Sequence, residues 1–155
     1  MKDAAERFAA LLEELADLLE LQGESWFKIR AYRVGARSVR EAGERFETEA
    51  RSEALDARPG IGAAIAEKAR EWLDSGHLRT LDRERAAVPS AVVALWRQSG
   101  LPGGFVGRLW RSCGVTDADS LRRAWESGAL DGLRPGDRQR LAALLGPRGP
   151  RSNGP

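Results

Sequence analysis

Gly60 and Gly62, separated by Ile61 and followed at once by the amphipathic run that begins at Ala63, are the residues of this chain best suited to hold a phosphate. The first N–H groups of a helix have no partner within it, and its N-terminus carries partial positive charge, so a helix that starts on glycine offers bare donors to an anion. Glycine also lets a second backbone come close, since no Cβ stands in the way. Such a device reads the shape of a phosphate backbone and not a base sequence. Upstream, Arg30, Arg33, Arg37 and Arg40 recur at three- and four-residue spacing, which lines them along one side of a helix over roughly 15 Å. That row either tracks two or three phosphates of one strand or is an ordinary solvated helix face.

Composition narrows the classes open to the chain. With 155 residues, 42% of them hydrophobic, it can bury one good core or two small ones in series. No apolar run is long enough to span a bilayer, and the N-terminus is acidic and amphipathic, unlike a signal peptide, so a cytoplasmic protein is expected. Cys113 is the one cysteine and His77 the one histidine, which excludes an intrachain disulfide and a zinc site of the usual cysteine and histidine type. Cys113 is expected as a small buried hydrophobe and His77 as a helix-end or loop residue. The formal net charge is only +2, but it is unevenly spread: Lys2 and Arg7 face Asp3, Glu6, Glu13, Glu14, Asp17, Glu20 and Glu24 in the first 24 residues. The remainder is therefore strongly cationic, with one surface available to a polyanion and the first helix kept away from it.

The elements that must position these residues are all helices, and the expected fold class is all-α. Phe8, Leu11, Leu12, Leu15, Leu18 and Leu19 give a first helix that buries one stripe and ends near Gly23. Ser25 caps a second helix from about Trp26 to Ala42, with Phe27, Ala31, Val34 and Ser38 or Val39 inward. Further helices are predicted at about 63–75, 79–86, 89–98, 104–114, up to Ser127 with Thr116 and Asp119 as a capping pattern, and 135–145. Trp96, Trp110 and Trp125 read either as core residues at helical spacing or as platforms for exposed bases. Residues 146–155, rich in glycine and proline, are expected to form a disordered tail.

The glycine hairpin has echoes. Ser99-Gly100-Leu101-Pro102-Gly103-Gly104 precedes a second apolar helix, with Pro102 where a second glycine would stand and Gly103 and Gly104 available to rebuild the turn in a shifted register. Leu133-Arg134-Pro135-Gly136 precedes a third. These blocks resemble helix-hairpin-helix elements. Glu14 to Glu24, then Phe27-Lys28-Ile29-Arg30-Ala31-Tyr32-Arg33, then Pro59-Gly60-Ile61-Gly62 with Ile65-Ala66-Glu67-Lys68, resemble in order and spacing the N-terminal region of family X DNA polymerases, especially bacterial ones. The likeness continues more weakly to about Leu145.

The resemblance implies a small helical lyase-type domain at 1–86 and a second, degenerate helix-hairpin-helix domain at 87–145. It implies DNA as partner, in the form of gaps, nicks or 5′-phosphorylated ends, with a repair protein as a further partner. Lys28, Arg30, Arg33 and Arg37 would supply charge, Gly60, Ile61, Gly62 and Ala63 the first hairpin, and Gly100 and Gly103 the second. A monovalent cation, sodium or potassium, would sit on the backbone carbonyls of Arg58 and Gly60, and no other cofactor is expected. The family's polymerase chemistry needs a strand-borne set of carboxylates to which the likeness does not extend, so no polymerase activity is expected.

In some members the first domain removes a 5′-deoxyribose phosphate through a lysine Schiff base, and the matching lysine is Lys68, with Glu67 as acidic neighbour and Tyr32 nearby. That chemistry needs an amine able to lose its proton, which lysine can supply and arginine cannot. Lysine is rare here, at Lys2, Lys28 and Lys68 alone among 25 cationic side chains. Against the lyase, Ala64 stands where strongly active members carry another lysine, and Lys68 also reads as a solvated helix residue. Two alternatives to plain DNA binding therefore stay open: a lyase acting through Lys68, and a helical adaptor that has lost DNA binding and docks a protein.

Overall fold

The Asp3 carboxylate accepts a hydrogen bond from the Glu6 N–H at 2.8 Å and so starts α1, Ala4–Leu21. The computed structural model describes residues 3–147, and among them there is no strand: the fold is all-α. Ser25 caps α2, Trp26–Ala42, by accepting from the Lys28 N–H at 3.3 Å. A 3-10 turn at Gly43–Arg45 leads into the short α3, Phe46–Ala50, and a run of turns carries the chain to α4, Ala63–Ser75. Gly76, left-handed at φ 76°, ends α4 and is followed by the exposed His77 and by α5, Arg79–Ala87. Beyond it lie α6 (Ser90–Ser99), α7 (Gly103–Cys113), α8 (Ala118–Ser127) and α9 (Pro135–Leu145).

The chain falls into two compact units, one ending at Val88 and the other beginning at Pro89. In the first, α1 lies along α2 and also meets α3 and α5. An aromatic cluster closes the core: Phe8 stacks on Phe46 with centroids 5.3 Å apart, and Trp72 lies 5.5 Å from Phe8. The Arg7 guanidinium covers the Trp72 ring from outside at 5.2 Å. One contact group thus fixes α1, α3 and α4, and truncating Phe8 to alanine would cost about 3–5 kcal/mol. Because the opposite end of α4 begins at the glycine hairpin, this cluster sets where that end stands.

In the second unit Val92, Leu95, Phe105, Leu109, Leu121 and Leu141 form the buried interior. Trp125 is buried too and its indole N–H donates to the Gly146 carbonyl at 3.2 Å, while Trp96 and Trp110 are half-buried, which is the packing role.

Four local expectations need correction or bounding. Phe27 and Ala31 do not face inward: Phe27 is 85% exposed and Ala31 exposed. The buried arc of α2 runs through Ile29, Ala36 and Val39, because α1 covers that side, and Phe27 projects on roughly the opposite side of its turn. Cys113 is exposed, since it is the last residue of α7 and Gly114 turns the chain away after it. The cap of α8 is Asp117, not Thr116: its carboxylate accepts from the Ser120 N–H at 2.7 Å and the Ser120 hydroxyl accepts from the Asp117 N–H at 3.0 Å. Of the expected tail, residues 148–155 lie outside the described residues.

Candidate nucleic-acid interface

The first hairpin is held from three directions. Ser38 donates its hydroxyl to the Pro59 carbonyl at 2.7 Å; the Arg58 guanidinium is clamped by both carboxylate oxygens of Glu49; and the Ile61 N–H donates to the Arg58 carbonyl at 3.1 Å. Ile61 is buried, 4% exposed, and pins the loop to the core. Gly60 takes φ 86°, which an L side chain adopts only under strain, and a Cβ there would lie 2.8 Å from Val34 Cγ1. Gly35 lets α4 approach equally closely, since a Cβ on it would lie 2.5 Å from Ile65 Cδ1.

Gly62 is different. Its φ is −94°, and a Cβ built on it would meet open space. Neither conformation nor internal packing requires glycine at this position. Gly62, Ala63 and Ala64 are all exposed, and no side chain caps α4. The first N–H groups of the helix therefore face outward over a surface of small residues, the arrangement an approaching phosphate needs. The Arg58 and Gly60 carbonyls, expected to hold a monovalent cation, belong to the same loop.

The arginine row divides in two. Arg33 is bound by Asp17 at 3.0 Å and Glu20 at 2.8 Å, and Arg40 by Glu6 at 2.7 Å and by Glu13, all on α1. Arg33 and Arg40 thus join α1 to α2, and Arg33 is not a free phosphate contact. Arg30, Arg37 and Lys28 are exposed, and the ion pairs with the α1 acids seen among the described residues of α2 are made by Arg33 and Arg40 instead. The acidic first helix neutralises one side of α2 and leaves the other cationic, a relation no periodicity in α2 alone could reveal. Burial is the chief influence on Asp17 and pushes its carboxyl up, with Arg33 pulling it back.

Lys68 and Tyr32, far apart in sequence, come together: the half-buried Lys68 holds its Nζ 5.8 Å from the Tyr32 ring centroid. Glu67 is exposed beside them. Glu71, one turn further along α4, is held below the usual carboxylate range, first by a hydrogen bond from the Arg79 N–H and then by the Arg79 side chain, with Lys68 adding a smaller pull.

The second hairpin keeps its register. Gly100 is left-handed at φ 69°, Leu101 is 7% exposed, and Pro102 stands at the N-cap of α7, so Gly100-Leu101-Pro102 occupies the same sequence of roles as Gly60-Ile61-Gly62. The turn is not rebuilt in a shifted register on Gly103 and Gly104. Both lie in the first turn of α7, and Gly103 is buried. Pro102 lacks an N–H, but the N-cap N–H takes no part in the helix ladder, and the Pro102 carbonyl still accepts from Phe105 and Val106, both at 3.1 Å. The third echo has no left-handed glycine in its turn; Arg134 precedes Pro135, which opens α9.

With this geometry in view, the comparisons with known proteins are specific. The family described as "helix-hairpin-helix domain" matches residues 3–78. Over 123 residues, 79% of this chain, the sequence is 33% identical to the DNA polymerase/3′-5′ exonuclease PolX of Bacillus subtilis (strain 168). That alignment takes in 21% of the relative, so the chain spans about a fifth of the length of the curated protein it matches.

Proposed function

Because the chain carries a helix-hairpin-helix domain over residues 3–78 and is related to the N-terminal region of family X DNA polymerases, we propose that it binds DNA at gaps, nicks or 5′-phosphorylated ends through backbone contacts, without sequence preference. The observation that carries this reading is Gly62, a glycine with no internal reason to be one, at the open end of α4. A terminal phosphate would accept from the first N–H groups of α4, with Lys28, Arg30 and Arg37 giving long-range attraction. Anisotropy with one-nucleotide-gapped DNA bearing a 5′-phosphate or a 5′-hydroxyl, at two salt concentrations, tests it. Tighter, steeply salt-dependent binding to the phosphorylated gap is expected. Equal affinity for both ends with a flat salt response would leave the adaptor reading.

A second reading rests on the Lys68–Tyr32 pair. The Lys68 amine would attack C1′ of an abasic deoxyribose and expel water to give an iminium. Loss of the C2′ proton would then break the C3′–O bond and release a 5′-phosphorylated strand. Borohydride would trap the adduct on wild type and not on Lys68→Ala; no wild-type adduct removes the reading.

A further inference from the structure

Two arginines beside the second hairpin converge on one carboxylate. The Arg108 side chain reaches back along α7: its Nη1 lies 3.7 Å from where a Cβ on Gly104 would stand, and its Cζ lies 5.7 Å from the centroid of the Phe105 ring. The guanidinium therefore rests over the first turn of α7, the positive end of the helix, where a cation is disfavoured unless an anion joins it. Arg140, on α9, lines an open cleft of about 500 Å3 together with Gly100, Leu101 and Pro102 of the hairpin itself. Asp137 meets both arginines from the first turn of α9, where the helix dipole favours negative charge. One of its oxygens lies 4.0 Å from Arg108 and the other 3.8 Å from Arg140.

The two sides of this cluster are held unequally. The Arg108 and Arg140 side chains are 58% and 55% exposed, whereas that of Asp137 is 16% exposed. The acid is fixed in the fold and the arginines are held by it loosely, unlike Arg33 and Arg40 of the first unit, whose ion pairs are 3.0 Å or shorter. Long, exposed pairs contribute little, so another anion displaces the carboxylate at small cost. Guanidiniums that accept a carboxylate also suit a phosphate.

We infer that Asp137 is an internal substitute for a DNA phosphate: it occupies Arg108 and Arg140 in the free protein and yields them to the sugar-phosphate backbone on binding, so that the second hairpin restrains its own contact with DNA. This rests on the DNA-binding reading and adds to it a built-in competitor. It also gives a use to the third sequence echo, Leu133-Arg134-Pro135-Gly136, which lacks a left-handed glycine and instead opens the helix that presents the acid.

The test is anisotropy with one-nucleotide-gapped DNA bearing a 5′-phosphate or a 5′-hydroxyl, at low and moderate salt. Asp137→Asn is expected to bind both DNAs about two- to fivefold more tightly, the range an exposed ion pair spans. The ratio between the two DNAs should not change, because it reports on the first hairpin. Arg108→Ala and Arg140→Ala are each expected to weaken binding and to lower the slope of log affinity against log salt by up to about 0.9. In a chain lacking both arginines, Asp137→Asn should no longer tighten binding. Thermal midpoints identify the variants that fold, and the exposed arginines carry the test if Asp137→Asn is destabilised. Unchanged or weaker binding by a folded Asp137→Asn, equal tightening with and without the arginines, or wild-type affinity in the double arginine variant would overturn the competition and leave the first-hairpin reading standing. Failure of wild type to bind either DNA would overturn that reading as well.

Discussion

The Ser38 hydroxyl reaches across from α2 to the Pro59 carbonyl at 2.7 Å, and this bond fixes the hairpin loop against the helix that carries the cations. Ser38 is 5% exposed, so its loss leaves a carbonyl without its partner in a place water reaches poorly. Ser38→Ala is expected to destabilise the protein by about 1–3 kcal/mol, measured by urea unfolding. A change below a few tenths would show that the loop is held without it.

The hairpin glycines should separate fold from binding. Gly60→Ala forces a left-handed side chain against Val34 and is expected to cost at least about 1–2 kcal/mol of stability. Gly62→Ala meets open space and should cost no more than about 1 kcal/mol, the usual penalty of an alanine N-cap. Its effect falls on DNA instead, where the new methyl group stands over the helix N-terminus. Stability and anisotropy measured on both variants check the contrast, which fails if Gly62→Ala binds as wild type does.

Arginines of one row should behave as two classes. Arg30→Ala and Arg37→Ala are each expected to lower the slope of log affinity against log salt by up to about 0.9 while leaving stability unchanged. Arg40→Ala removes the ion pairs that a guanidinium only 34% exposed makes with Glu6 and Glu13 across α1 and α2, and should lower the thermal midpoint with little change in that slope. An Arg40→Ala variant with a normal midpoint would mean that the α1–α2 ion pairs are screened out in solution.

Acid should loosen the hairpin. Hydrogen bonds from Arg58 are the main cause holding the Glu49 carboxyl below its ordinary value of 4.5. A carboxyl whose folded pKa is depressed contributes stability above its unfolded pKa and loses it as pH falls through the folded one. The thermal midpoint is therefore expected to drop as pH goes below about 4.5, and Glu49→Gln, lower at neutral pH, should drop less steeply. Asp17, raised by burial, gains from protonation and works in the opposite sense, so the Glu49→Gln difference is the quantity to read.

Helix boundaries were legible because capping and periodicity are local: Ser25 before α2, Gly76 after α4 and Pro135 at the start of α9 stand where those rules put them. The glycine hairpin was legible for the same reason. What sequence spacing did not show was which face of α2 is covered. Period alone placed Phe27 inside, because it shares a stripe with Val34 and Ser38, yet the hairpin that covers those two stops short of the first turn. Likewise the pairing of Arg33 and Arg40 with acids 13 to 34 residues away depends on how α1 lies on α2. Long-range partners decide such questions, and no local window contains them.

The capture of Arg33 and Arg40 by α1 also bears on how the first unit meets a polyanion before touching it. With the α1 acids holding Arg33 and Arg40 while Lys28, Arg30 and Arg37 are exposed, charge is separated across the α1–α2 pair, and the field of a nucleic acid would favour an approach with the cationic side of α2 forward. Orientation would then be favoured by torque at a distance, for which a large net charge is not required.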